Sequence, residues 1–343
     1  MNLGFWNKLK KPIMVLAPMA DVTDAAFRFI IAKYSRYGGT DIKYGKFTRA
    51  SFSEENLGGP DVFWTEFVSA DGLCHPTGRE KLLIDLFYSQ AERPIVAQLF
   101  TSNPAKMKEA AALVEKLGFD GLDINMGCPD KKVEKQCAGA ALMKNPKLAR
   151  ELIRAAKTGA PSLPVSVKTR LGYNKDELET WLPELLAEEP AVITVHARTR
   201  REMSDVPARW ERVKRAVEIR NELKSKTLIF GNGDVVDLAD ARKKAVETGC
   251  DGVMLGRAIF GNPWLFAEHQ PSTEEKLRVL IEHTKLFEKM FGSAKNFAVM
   301  KKHFKAYVNG FDGAKELRVR LMEADTAGGV ESVINDFLKV LTS

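Results

Sequence analysis

From residue 12 to about 265 the chain repeats one pattern, a short apolar run followed by a longer amphipathic stretch. The apolar runs fall at 13–17, 62–68, 95–100, 121–125, 165–169, 192–196, 227–231 and 252–255. Runs of this length, bounded by turn residues, read as strands buried on both faces. Between them, 24–34, 79–88, 104–117, 147–157, 177–187, 209–223 and 237–247 carry the helical period. Asn103 before Pro104 reads as an N-cap followed by a first-turn proline. Strands alternating with helices imply parallel βαβ units. Eight of them in roughly 250 residues match a closed (β/α)8 TIM barrel. The competing arrangement, an open doubly wound sheet, usually has fewer strands and a GxGxxG after the first, which this chain lacks.

Beyond Pro271 the strand-like runs stop. Residues 273–343 show helical periodicity alone, punctuated by Gly292, Gly310, Gly313, Gly328 and Gly329, which predicts four helices. The expected fold class is therefore α/β, a TIM barrel over 1–268 followed by a C-terminal all-helical domain over 269–343. One segment breaks the rhythm. Residues 35–60 are long for a loop and rich in Gly, Ser, Lys and aromatics, and read as either a functional loop or a mobile insertion.

Composition narrows the class further. With 343 residues, 45% hydrophobic and 28% charged, the chain is neither a disordered tail, a collagen nor a coiled coil. Its apolar runs, such as 138–143, fall far short of the ~20 residues of a membrane span. No apolar region follows the basic N-terminus, so no secretory signal is expected. The four cysteines (Cys74, Cys128, Cys137, Cys250) contain no CxxC pair, which points to a reducing cytoplasm. The balance of 52 Lys+Arg against 45 Asp+Glu, a net +7, permits an RNA or phosphate partner without demanding one.

A barrel places reactive side chains at the C-terminal ends of its strands, and a phosphate often sits after strands seven and eight. The polar residues fall there. Strand one runs into Pro18, Met19 and Ala20; strand three carries Gln98; strand four runs through Asn125 to Cys128. Strand five carries Lys168 and Arg170, strand six His196 and Arg198, strand seven Asn232, Gly233 and Asp234, and strand eight Gly256 and Arg257. Bare backbone at Gly231, Gly233 and Gly256 together with the Arg257 fork suits an anion, and two such loops in succession favour a phosphate-bearing ligand over simple turns. Lys168 would be costly in a core and points to an anion or an electron-rich ring. His196 on its own reads as a satisfied core histidine. No His/Cys/Asp/Glu set has zinc-like spacing, and no GxSxG elbow is present. Cys128 lies between Gly127 and Pro129 just past a strand end, where a neutral thiol can donate a proton; the commoner fate of a lone cysteine is an inert buried thiol, and position argues against it here.

These strings together resemble the tRNA-dihydrouridine synthase family, in its bacterial-type branch. The resemblance runs through APMADVTDAAFR (17–28), TEFVSADGL (65–73), AQLF (97–100), DINMGCPDKKV (123–133), AGAALM (138–143), VKTRLG (167–172), VHARTR (195–200), GNGDV (231–235) and LGRAIFGNPW (255–264). It implies an FMN-bound barrel with a helical tail that reduces the C5–C6 double bond of tRNA uridines with NADPH, NADH not excluded. By motif, Pro18, Met19 and Ala20 would lie against the flavin, and Gln98 and Lys168 would bond its polar edge. His196 would bind the cofactor's tail, and Asn232, Gly233, Asp234, Gly256 and Arg257 the ribityl phosphate. Cys128 would be the general acid and Asn125 would grip the uracil edge. Arg170 and Arg198 would contact substrate or RNA. The insertion at 35–60 departs from the family pattern, and either its Lys43, Lys46 and Arg49 touch RNA or the segment is a disordered loop.

The distribution of charge agrees with tRNA as partner. From 295 to 320 there are seven basic residues against two acidic ones, a local +5. Lys301, Lys302 and Lys305, with His303, fall within about one helical turn, able to face phosphates together. No membrane and no obligate protein partner is implied. Two rivals share these features: an FMN barrel acting on a free pyrimidine, of the dihydroorotate dehydrogenase kind, and a non-enzymatic barrel that binds tRNA. The first has no need of a basic tail, and the second leaves the cysteine and the phosphate loops without a task.

Overall fold

The eight apolar runs form β1 (Ile13–Leu16), β2 (Phe63–Ser69), β3 (Ile95–Phe100), β4 (Gly121–Met126), β5 (Val165–Arg170), β6 (Val192–His196), β7 (Leu228–Asn232) and β8 (Gly252–Leu255). Each end lies within one residue of the expected position. In this computed structural model, which describes residues 1–39, 58–292 and 294–341, all seven ladders are parallel, in the order β1-β8-β7-β6-β5-β4-β3-β2. A bridge between Val15 and Val62 closes β1 onto β2, completing a TIM barrel. Lys43, Lys46 and Arg49 of the expected insertion lie outside the described residues.

The helices are α1 (Ala25–Ile31), α2 (Ala70–Leu73), α3 (Pro76–Leu82), α4 (Pro104–Lys116), α5 (Lys131–Glu134), α6 (Pro146–Gly159), α7 (Leu178–Leu186), α8 (Trp210–Glu222) and α9 (Leu238–Thr248). There follow α10 (Thr273–Phe291), α11 (Lys301–Tyr307), α12 (Ala314–Met322) and α13 (Ala327–Leu341). Asn103 caps α4 as its sequence predicts, its side chain accepting from the backbone of Ala105 at 3.0 Å and Lys106 at 3.3 Å. The stretch expected as one helix over 79–88 is instead α3 followed by a tight turn at Leu83–Leu86. Pro76 occupies the first turn of α3 and so sets an earlier start. None of the described helices is long and apolar enough to cross a membrane.

The described residues divide into two compact units. The first holds Met1–Pro18, Asp61–Phe87 and Arg93–Gly256, and with them all eight strands. Its strands are almost wholly buried, as parallel strands covered on both faces must be. Trp6 is buried among them, its ring 5.8 Å from that of Trp64 and edge-on to Phe230 at 5.6 Å. Such aromatic groups carry large buried area and favour tilted or edge-to-face contacts.

The second unit gathers the described parts of Met19–Pro60, Tyr88–Glu92 and Arg257–Ser343. This division differs from a cut at 268: α1 and the turn after β8 group with the four C-terminal helices. The reason is packing. Phe27 of α1 stacks on His283 of α10 at 5.0 Å and meets His303 of α11 edge-on at 4.8 Å. Arg28 pairs with Glu92 at 2.6 Å, both side chains fully buried, and Glu92 also accepts from the Ser89 backbone at 2.7 Å. A carboxylate and a guanidinium out of water tolerate burial only with partners this close.

Candidate active site

Strand register brings the polar residues onto neighbouring rungs. Gln98 lies opposite Asp123, Asn125 opposite Lys168, and Arg170, His196, Asn232 and Met254 follow one another across β5 to β8. Because the side-chain period of a strand is two, residues on matched rungs share a face.

On β3 and β4 the amides form a directed chain. Gln98 donates through Nε2 to Asp123 Oδ2 at 2.6 Å, and its Oε1 accepts from Asn125 Nδ2 at 3.0 Å. Asn125 Oδ1 then accepts from the backbone of Gly127 at 3.1 Å and of Cys128 at 2.9 Å. A carboxylate can only accept, so Asp123 fixes which end of Gln98 faces it, and Gln98 in turn fixes Asn125. Asp123 also receives the Ser166 hydroxyl. Burial pushes its carboxyl up to about 6, against the pull of the Ser166 and Gln98 donors and the Lys168 charge. Asp123 opens the DINMGCPDKKV motif, but motif and strand-end reasoning give it no role. Its signal in the sequence is a carboxylate inside a fully buried strand, GLDINM, where it needs partners.

Cys128 sits at the end of this chain, half-buried against Phe67, Phe100, Val133 and Ala138. The rings of Phe67 and Phe100 meet edge-on at 5.7 Å. Burial raises the thiol above its ordinary range, while a backbone donor at Asp130 and the Lys168 and Arg170 charges act the other way. The other cysteines differ in setting. Cys74 donates to the Lys106 carbonyl and burial lifts it to about 11, Cys250 is buried against the Gly252 carbonyl, and Cys137 is exposed.

On β5 to β7 the Lys168 ammonium donates to Asn232 Oδ1 at 3.2 Å, and Asn232 Nδ2 donates to the Met254 carbonyl at 2.8 Å. Burial, helped by the nearby Arg170 charge, pulls Lys168 down to about 8. Gly233 has φ +121°, and a Cβ there would lie 2.9 Å from Ala208 Cβ and 3.2 Å from the His196 ring, so the bare backbone forms a cradle that a side chain would fill. His196 Nε2 lies 3.2 Å from Arg198 Nη1.

The two arginines expected as substrate or RNA contacts have partners within the protein. Arg170 donates to the carbonyls of Gly127 at 2.9 Å, Thr199 at 3.0 Å and Met203 at 2.9 Å. Arg198, 2% exposed, pairs with Asp234 and donates to the Val206 carbonyl at 2.5 Å. A buried guanidinium must satisfy its fork of donors, and here backbone carbonyls and Asp234 do so. Asp234, expected at a phosphate, is the carboxylate of that pair and also accepts from the Ala208 backbone at 2.8 Å.

Pro18, two residues past β1, and Gly256, the residue after β8, are half-buried. Met19, Ala20 and Arg257 belong to the second unit. There the Met19 backbone donates to Thr23 Oγ1 at 2.9 Å, closing a turn, while Ala20 and Arg257 are exposed. Lys301, Lys302 and Lys305 stand on α11 of the same unit; Lys301 pairs with Asp325 and Lys302 with Asp21, each at 3.1 Å. His303 does not join them: it is fully buried, facing Phe27 and His283, because the α11 period turns it to the opposite side.

A flavin asks for amide and ammonium groups at its polar edge and for bare backbone at its phosphate, and the Gln98, Lys168 and Asn232 set with the Gly233 cradle fits both needs. The dihydrouridine synthase (Dus) family model matches residues 15–342. A probable tRNA-dihydrouridine synthase of Staphylococcus aureus (strain COL) is 37% identical over 98% of this chain and 96% of its own. A probable tRNA-dihydrouridine synthase 2 of Bacillus subtilis (strain 168) is 38% identical over 98% of this chain and 97% of its own. Among solved structures, an old yellow enzyme homologue from Zymomonas mobilis is similar with a TM-score of 0.45 and 13% identity, over 74% of this chain and 86% of that one. A match along nearly the whole chain, to relatives of almost the same length, has one conclusion: the chain belongs to the dihydrouridine synthase family, whose members are flavin-dependent tRNA-modifying oxidoreductases.

Proposed function

We propose that this protein is a tRNA-dihydrouridine synthase that uses FMN, reduced by NADPH, to convert a tRNA uridine to 5,6-dihydrouridine. The observation that carries the reading is the position of Cys128, whose backbone is held just past β4 by the Asp123–Gln98–Asn125 chain and whose thiol burial pushes up. When bound, the flavin supplies the hydride that goes to C6 of the uracil ring.

The chain's own residues do the rest. Gln98 and Lys168 would bond the polar edge of the flavin, with Pro18, Met19 and Ala20 against its ring. His196, Asn232, Gly233, Gly256 and Arg257 would hold its tail and phosphate, with Asp234 orienting the loop through Arg198. Asn125 keeps one amide hydrogen beyond its bond to Gln98, and that hydrogen would meet the uracil edge. Cys128 Sγ–H delivers a proton to C5, so that one hydride and one proton saturate the double bond. The thiolate left behind is stabilised by the Lys168 and Arg170 charges and regains a proton from solvent. The uridine must leave its stack in folded tRNA, at a cost of a few kcal/mol, and contacts between the basic α11 and the RNA backbone offset that cost.

The test is the Cys128→Ala variant. It should retain flavin and its reduction by NADPH, while dihydrouridine formation in tRNA drops by ~10²–10⁴-fold, the usual worth of a positioned general acid. Product formation at the wild-type rate would remove Cys128 from the mechanism.

A further inference from the structure

Within the second unit, Phe260, Lys301, Lys302, Lys305, Ala306 and Met322 line an open groove. Its floor is apolar: Phe260 is half-exposed and Met322 is 39% exposed. Its rim is three ammonium groups. Lys301 and Lys302 have exposed carboxylates as partners, and such pairs are worth at most about 1 kcal/mol, so a phosphate can replace them at little cost. Among the described residues Lys305 has no acidic partner.

Phe260 is braced from beneath. Its ring lies nearly parallel to His303, with centroids 6.3 Å apart and 25° between planes. His303 in turn meets His283 at 4.6 Å and Phe27 at 4.8 Å, both edge-on. None of the four imidazole nitrogens has a hydrogen-bond partner, and burial holds His303 down at about 3 and His283 well below its ordinary range. The column is therefore uncharged at neutral pH. The outermost of these packed rings, Phe260, lines the groove together with the three lysines.

We propose that this groove is a subsite for an unpaired nucleotide, its base stacked on Phe260 and its flanking phosphates on Lys301, Lys302 and Lys305. An aromatic platform beside a cationic rim is what single-stranded nucleic acid requires, since every base has a stackable face and every link a charge. A duplex hides its bases and would use the lysines alone. An acidic peptide would also use the lysines but gains nothing from the ring. The subsite rests on the reading of the protein as a tRNA-modifying enzyme, and it adds a residue, Phe260, that acts through stacking rather than charge.

The experiment measures binding of the full-length protein to a short oligouridylate, to an RNA duplex of equal length and to polyglutamate. Phe260→Leu keeps apolar bulk over His303 and should weaken oligouridylate binding by roughly 5- to 100-fold, with duplex binding unchanged. Phe260→Trp should keep oligouridylate affinity at or above that of wild type. Lys305→Gln should weaken both RNAs and lower the salt dependence of binding by the share of about one phosphate. Equal oligouridylate affinity in wild type and Phe260→Leu, parallel losses for oligouridylate and duplex, or polyglutamate binding that competes with oligouridylate and depends on Phe260 would each overturn the subsite. Dihydrouridine formation by the wild-type protein is scored separately. Its absence would end the catalytic reading while the Phe260 effect still stood; normal formation alongside unaltered Phe260→Leu binding would do the reverse.

Discussion

A proton donor at carbon has to be acidic enough to give up its proton and neutral enough to carry one, and opposing neighbours act on the thiol of Cys128, the donor we propose. Burial against Phe67 and Phe100 keeps the thiol protonated, while Lys168 and Arg170 stand ready to stabilise the thiolate. The alkaline limb of dihydrouridine formation should therefore begin as Lys168 loses its charge at about 8, while the thiol, raised by burial, still carries its proton there. The acid limb belongs to Asp123. Its folded pKa of about 6 lies above the usual carboxylate value, and the form that accepts from Gln98 is the ionised one. As pH drops through about 6 the carboxyl gains a proton, loses an acceptor site and frees Gln98 to turn. Rates should fall there in the wild type, and Asp123→Asn, whose carbonyl can still accept while its NH₂ meets Ser166, should lack that limb. Initial rates of dihydrouridine formation from mildly acid to alkaline pH separate the two residues; an acid limb unchanged in Asp123→Asn would clear Asp123 of the role.

At the scale of elements, the proposed site residues lie on, or just past, the ends of every strand except β2. The loop after β4 depends on Arg170 from β5, whose bond to the Gly127 carbonyl ties the residue before Cys128 to the neighbouring strand. The loop after β7 depends on Gly233, where φ is +121° and neighbours leave no room for Cβ. Gly233→Ala should cost about 1–3 kcal/mol in backbone strain and displace the loop from the position an anion needs. The purified variant should fold, with flavin content measured by absorbance falling severely; wild-type flavin content would show that the cradle is not used. The strands, α4 with its cap and the four C-terminal helices could be read from periodicity, since apolar spacing reports burial directly. The break of 79–88 into α3 and a turn could not, because where a short helix ends depends on what it packs against.

At the scale of the molecule, the net +7 gains meaning from its location. Replacing Lys301, Lys302 and Lys305 together with glutamate should weaken tRNA binding severely and flatten its salt dependence, by about 0.7–0.9 in log–log slope for each phosphate no longer neutralised. Titration at several salt concentrations checks this, and unchanged affinity at low salt would deny α11 its part. The sequence by itself determined the eight-strand barrel, the helical tail, the family and the proposed proton-donating cysteine, because each is written in local spacing or in contiguous motifs. Tertiary structure alone decided how these parts serve one another. Arg170 and Arg198 are expected from sequence to contact substrate or RNA, and in the fold their guanidinium groups also hold carbonyls and Asp234. His303 sits among lysines in sequence and among buried rings in space. Asp123, unremarked in its strand, becomes the fixed end of a chain of amides that reaches Cys128. The physical reason is common to all three: a side chain's partners depend on which distant strand or helix lies beside it, and no local pattern encodes that.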